Sequence, residues 1–174
     1  MNDQSGAKTL VLCLGSRGRR DDGAAWRVAE ALLADPPRGA EVRMSALSGT
    51  RLLDQMEGFE RVVVVDAVAS GLREPGAVTV VPLKAAEAAR ERGLELPKVL
   101  ADARALGAPV PARVDVVAIE VSAAGGEAGL TPEVADAVHV AAVRVRELLG
   151  DAGPAPAELS WAVGGGLASS RWFP

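Results

Sequence analysis

Tyrosine is absent from this 174-residue chain, aromatic residues make up only 3% of it, and there is one cysteine and one histidine. With so few rings, the 49% apolar fraction must fill the core with Val, Leu and Ala. That is the composition of buried parallel strands covered by alanine-rich helices. A single cysteine excludes a disulfide framework and fits a reducing cytoplasm, the expected compartment. Cys13 stands mid-strand between Leu12 and Leu14, so it is expected as a small core residue and not as a nucleophile. Lysine is scarce (Lys8, Lys84 and Lys98) beside abundant arginine, which reads as genome composition. A net charge of −4 argues against a nucleic-acid or anionic-membrane partner. No apolar run approaches the length of a membrane span, and Met1 to Gly6 is polar, without the basic-then-apolar pattern of a signal segment.

What is present alternates strands with helices. The run 9–14 predicts a buried strand ended by Gly15 and an arginine-rich loop with Arg17, Arg19 and Arg20. Residues 24–34 predict a helix stopped by Pro36-Pro37, and 41–45 alternate as a half-exposed edge strand. A short helix over 52–57 and a strand over 61–65 follow. After the turn signal Glu74-Pro75-Gly76, residues 78–81 predict a strand running antiparallel at an edge. Helical stretches are expected at 85–92 and 99–106, separated by Pro97, then a fifth strand over 114–119. Thr131-Pro132-Glu133 is a helix start, with threonine as N-cap and proline at the first helical position. The sum is an α/β fold: a three-layer α/β/α sandwich on a twisted, mostly parallel five-stranded sheet, with one antiparallel edge strand. It forms a single domain over 1–149. The tail 150–174 is rich in Gly, Pro and Ala, yet holds Trp161, Trp172 and Phe173.

Two acids stand where strands run out. Asp21-Asp22 closes the loop after the first strand, and Asp66 follows Val62-Val63-Val64-Val65. The first charge after a buried parallel strand sits at the sheet's carboxyl edge, where open α/β sheets bind ligands at the reversal of strand order. If strands one and three are neighbours, Asp22 and Asp66 face each other across that crevice. Convergent carboxylates bind a cation or handle protons. The structural reading is that Asp22 caps the first helix and Asp66 holds the next turn.

The ordered motifs Leu14-Gly15-Ser16, Asp21-Asp22-Gly23, Ser48-Gly49-Thr50, Val64-Val65-Asp66-Ala67-Val68 and Pro75-Gly76 resemble the hydrogenase maturation proteases. Ile119-Glu120 and Gly129-Leu130-Thr131-Pro132-Glu133-Val134 continue the resemblance, which spans about residues 8–149. These endopeptidases trim the carboxyl-terminal extension from the large subunit of nickel–iron hydrogenases after nickel insertion. The resemblance implies that Asp22 and Asp66 coordinate nickel presented by the substrate and carry the catalysis. It places Asp21, Gly49 and Thr50 in the substrate groove. The implied partner is the large-subunit precursor, with no nucleic acid and no membrane, and the chain acting as a monomer.

Two departures shape the expectation. The family's loop has Gly-Asn where this chain has Gly15-Ser16. The family's third ligand, a histidine, should fall near Arg92, Gly93 or Leu94, and none is there. Glu91 or Glu95 could substitute, although carboxylates are harder ligands than imidazole. His139 lies about 120° from the apolar stripe of the last helix and is expected at the surface. The alternative from another class is a catalytically degenerate, chaperone-like binder of the large subunit. A receiver-like phosphoacceptor domain would also pair acids after strand one with an aspartate after strand three, but no lysine follows the fifth strand. A nucleotide-binding fold is disfavoured because Gly15-Ser16-Arg17-Gly18 lacks the full glycine fingerprint and acids at the helix start repel phosphate.

Overall fold

The computed structural model describes residues 8–15, 20–83, 96–122 and 129–151. In chain order these form β1 (Thr9–Leu14), a 3₁₀ turn (Arg20–Gly23), α1 (Ala24–Ala34), β2 (Ala40–Ser45), α2 (Arg51–Met56) and β3 (Arg61–Val68). Then come β4 (Val78–Pro82), α3 (Leu96–Ala105), β5 (Arg113–Glu120) and α4 (Pro132–Leu149). The five strands make one sheet in the order β2-β1-β3-β5-β4. Every pairing is parallel except β4 with β5. The expected fold class is therefore the observed one, antiparallel edge strand included. The turn at Glu74-Pro75-Gly76 does not fold β4 back onto β3, however; β4 reaches past it and pairs with β5.

Each inner strand is apolar on both faces because helices cover both. On one face Leu10, Leu12, Leu14, Val62, Val64 and Val116 pack with Leu52 and Met56 of α2 and Leu100 of α3. On the other, Val11, Cys13, Val63, Val65 and Ile119 pack with Val28 and Leu32 of α1 and Val134 and Val145 of α4. The period-two alternation of the strands thus sorts the core into two layers. Small side chains let α1 and α4 lie close: Ala25, Ala29, Ala137 and Ala141 are all buried.

Several boundaries move from their expected places for local reasons. The helix expected from Val99 begins at Leu96, so Pro97 lies in its first turn, a position where its missing N–H costs nothing. β3 continues to Val68 instead of stopping before Asp66, because β5 extends to Glu120 and keeps pairing with it. α4 ends at Leu149 with Gly150 in the left-handed conformation, its N–H bonded back to the last turn, so the composition break coincides with a helix end. The stretch 85–92, the acids Glu91 and Glu95, Arg17, Arg19 and the tail from residue 152 lie outside the described residues.

Candidate active site

The site is built where β1 stops and β3 does not. β1 pairs with β3 only as far as Cys13 and Val65. From Asp66 to Val68, β3 is held by β5 alone. Asp66 is thus the first residue of β3 beyond the β1 ladder, and it is half-buried. The strand order reverses at this point, since β2 lies on one side of β1 and β3 on the other. That is the switch point at which open α/β sheets place their ligands.

Glycine brings the turn that carries Asp22 to the same end of the sheet. Gly15 leaves β1 at φ +153°, and a Cβ there would stand 2.2 Å from the carbonyl oxygen of Asp22. Only a residue without a side chain lets the 3₁₀ turn fold back onto the end of β1 this closely. The Gly15 N–H donates to Ser45 O at 3.0 Å, fixing the same point to β2. The turn packs against β3, and the Asp22 side chain is exposed. Gly23, not Asp22, occupies the N-cap of α1. Among the described residues no hydrogen bond engages the Asp22 carboxylate, so it is not consumed by capping.

The two acids sense each other. The Asp66 carboxyl is pushed up to about 7, first by burial and further by the negative charge of Asp22, against a lowering hydrogen bond from the Ala67 backbone. A carboxyl that holds its proton near neutral pH, beside a second carboxyl, can exchange that proton for a cation. Proton transfer at neutral pH is its other competence.

The remaining sequence-expected residues fall into different places. Asp21, expected in the substrate groove, is buried, and its carboxylate accepts the Thr131 N–H at 2.9 Å. Its second oxygen lies 3.5 Å from the Thr131 hydroxyl. Those contacts describe a latch from the first loop onto the start of α4, and the Thr131 side chain itself makes no cap bond. Gly49, at φ +62°, and Thr50 lead from β2 into α2 at the carboxyl edge of the sheet. Cys13 is fully buried, with its thiol pushed up to about 12 by burial, and is inert. His139 is exposed on α4. Among the described residues, no three His, Cys, Asp or Glu side chains cluster as a metal site.

One residue acquires a task that its motif alone did not reveal. Glu120 is buried at the end of β5, and its carboxylate accepts the Ser70 hydroxyl at 2.7 Å and the Gly71 N–H at 2.8 Å. It ties down the loop that follows β3, directly beyond Asp66. The only sequence signal was an acid closing an apolar strand pattern.

The topology, the β1–β3 crevice and its paired acids can be set beside known structures. The hydrogenase maturating endopeptidase HybD from E. coli superposes with a TM-score of 0.69 at 24% identity, covering 84% of this chain and 94% of that one. The [NiFe] hydrogenase maturation protease HybD from Thermococcus kodakarensis gives 0.56 at 26% identity, covering 81% and 98%. This chain has the fold of the hydrogenase maturation proteases. The endopeptidase HycI from Escherichia coli shares that maturation-protease fold, with a TM-score of 0.64 at 20% identity over 84% and 94% of the two chains. No protein-family model and no curated protein matches the sequence.

Proposed function

We propose that this protein is an endopeptidase that removes the carboxyl-terminal extension of a nickel–iron hydrogenase large subunit, recognising the nickel already loaded there. The observation that carries this reading is the convergence of Asp22 and Asp66 on the β1–β3 crevice, close enough for one charge to perturb the other. The donor set supports a metal brought by the substrate. Two carboxylates with no third donor clustered beside them among the described residues make a poor resident site, but they complete the coordination of an ion held elsewhere.

In this reading Asp22 and Asp66 hold the incoming metal and so fix the scissile bond at the mouth of the crevice, where positioning supplies much of the rate. Asp66 releases its proton as it takes the metal. A water oxygen then bonds to the scissile carbonyl carbon, the C–N bond breaks, and the departing nitrogen takes the water's proton. Gly49 and Thr50 line the approach along the carboxyl edge. Asp21 acts from behind, by holding the turn that presents Asp22. The decisive experiment is incubation of the nickel-loaded precursor with the protein, reading its mass before and after. Loss of a carboxyl-terminal fragment supports the proposal, and an intact precursor refutes it.

That no third donor clusters with them among the described residues favours a second reading, in which the chain binds the precursor as a chaperone-like partner without cutting it. Stable co-purification with a precursor that is never shortened would select it.

A further inference from the structure

The sheet has two edges, and they are not equivalent. At the β4 edge, Leu83 N–H donates to Val114 O and Ala77 O accepts from Glu120 N–H, so residues 77, 79, 81 and 83 face β5. In a strand the N–H and C=O of one residue project to the same side and alternate along the chain. Val78, Val80 and Pro82 therefore face outward, and Pro82 has no N–H to offer. Proline at an outward position is a recognised block to strand addition.

The β2 edge carries no such block. Ser45 O accepts from Gly15 N–H, so Glu41, Arg43 and Ser45 face β1 while Ala40, Val42 and Met44 face outward. Among the described residues nothing pairs with those outward groups, and the Met44 side chain is 38% exposed. β2 is parallel to β1, so its carboxyl end lies at the same sheet edge as Asp22 and Asp66. The loop carrying Gly49 and Thr50 runs from it. A strand added outside β2 would lie roughly 10 Å from β1 and 14 Å from β3, at about 4.8 Å per lane. About four extended residues, at roughly 3.3 Å each, bridge that lane to the crevice.

We propose that the outer edge of β2 is the docking strand for an extended segment of the protein substrate adjoining its scissile bond, held by main-chain hydrogen bonds to Val42 and Met44. This rests on the endopeptidase reading and adds to it where the substrate chain lies. Backbone pairing supplies affinity with little demand on side chains, as in other strand-addition complexes. Val42 packs against the α1-side core, and by the strand's alternation the exposed Met44 stands on the same face, so the two offer an apolar seat beside the added strand.

The test is Met44→Pro in the full chain, which removes one outward N–H and leaves the β1 ladder untouched. With nickel-loaded precursor, KM should rise about tenfold, the equivalent of one or two lost hydrogen bonds, with kcat nearly unchanged. Trimming at wild-type KM by a folded variant overturns the proposal while leaving the endopeptidase reading intact. If wild-type protein does not trim, that reading itself fails. A wild-type dimer that becomes monomeric in Met44→Pro with trimming unaffected assigns the edge to a second copy and also overturns it. Should the variant misfold, hydrogen exchange on wild-type protein decides. Precursor binding should slow exchange at Val42 and Met44 but not at Arg43, and unchanged rates at Val42 and Met44 count against it.

Discussion

The chemistry of the site begins with a proton. Asp66 is pushed from the ordinary 3.8 to about 7, so folding favours its neutral form. The sign follows directly. Below about pH 4 both folded and unfolded states are protonated, and this carboxyl exerts no pull. Between about 4 and 7 the unfolded chain alone loses the proton, and stability falls as pH rises. Asp66→Asn removes that penalty, so denaturant titrations should find the variant more stable than wild type at pH 8, on the order of 1–3 kcal/mol, and near equal at pH 4. Equal stabilities at both pH values would show that Asp66 is not strained by its surroundings. Gly15 matters in a different way, through what it lacks. A methyl group there meets Asp22 O at 2.2 Å, so Gly15→Ala should cost about 2–4 kcal/mol and shift Asp22 out of reach. Melting curves and trimming rates on the same sample check both halves. The positions of Asp22 and Asp66 at the sheet's carboxyl edge were legible in the sequence, Asp22 from the loop that ends β1 and Asp66 as the first charge after a run of valines, although β3 itself runs on to Val68. Asp21 was not, because which of two adjacent acids turns inward depends on a partner 110 residues away.

Among the elements, α4 is held at both ends from distant parts of the chain. Asp21 satisfies the Thr131 N–H at its start. At its other end Arg146 reaches Asp35 at 2.9 Å and Asp151 at 3.2 Å. Asp21→Ala leaves the Thr131 N–H without its acceptor and should lower stability by about 1–3 kcal/mol. Trimming measured well below the melting temperature should fall much less than in an Asp22 variant. An equal loss of activity without a loss of stability would return Asp21 to the substrate groove. The sequence pointed to Thr131 as the cap because a threonine before Pro132 carries that signature. The structure gives the capping to Asp21, since only the tertiary fold brings the first loop to that helix end. Similarly, β3 looked finished at Val65 because Asp66 interrupts the apolar run, yet pairing with β5 carries it on to Val68. α1, whose apolar spacing is regular, was placed from sequence at the bounds observed.

For the molecule as a whole, the layer order was legible because strands apolar on both faces require helices on both sides. The strand order was less so, since nothing local states that β4 pairs with β5 and not with β3. The switch point follows from that order, and with it the position of the site. The account stands on Asp22 and Asp66 acting as one unit at that point. A mutant cycle measures this directly: kcat/KM for trimming of nickel-loaded precursor by wild type, Asp22→Ala, Asp66→Ala and the double variant. If the two carboxylates share one metal, each single substitution should cost nearly as much as both together. Losses that multiply independently, or a single variant that still trims at the wild-type rate, would contradict it.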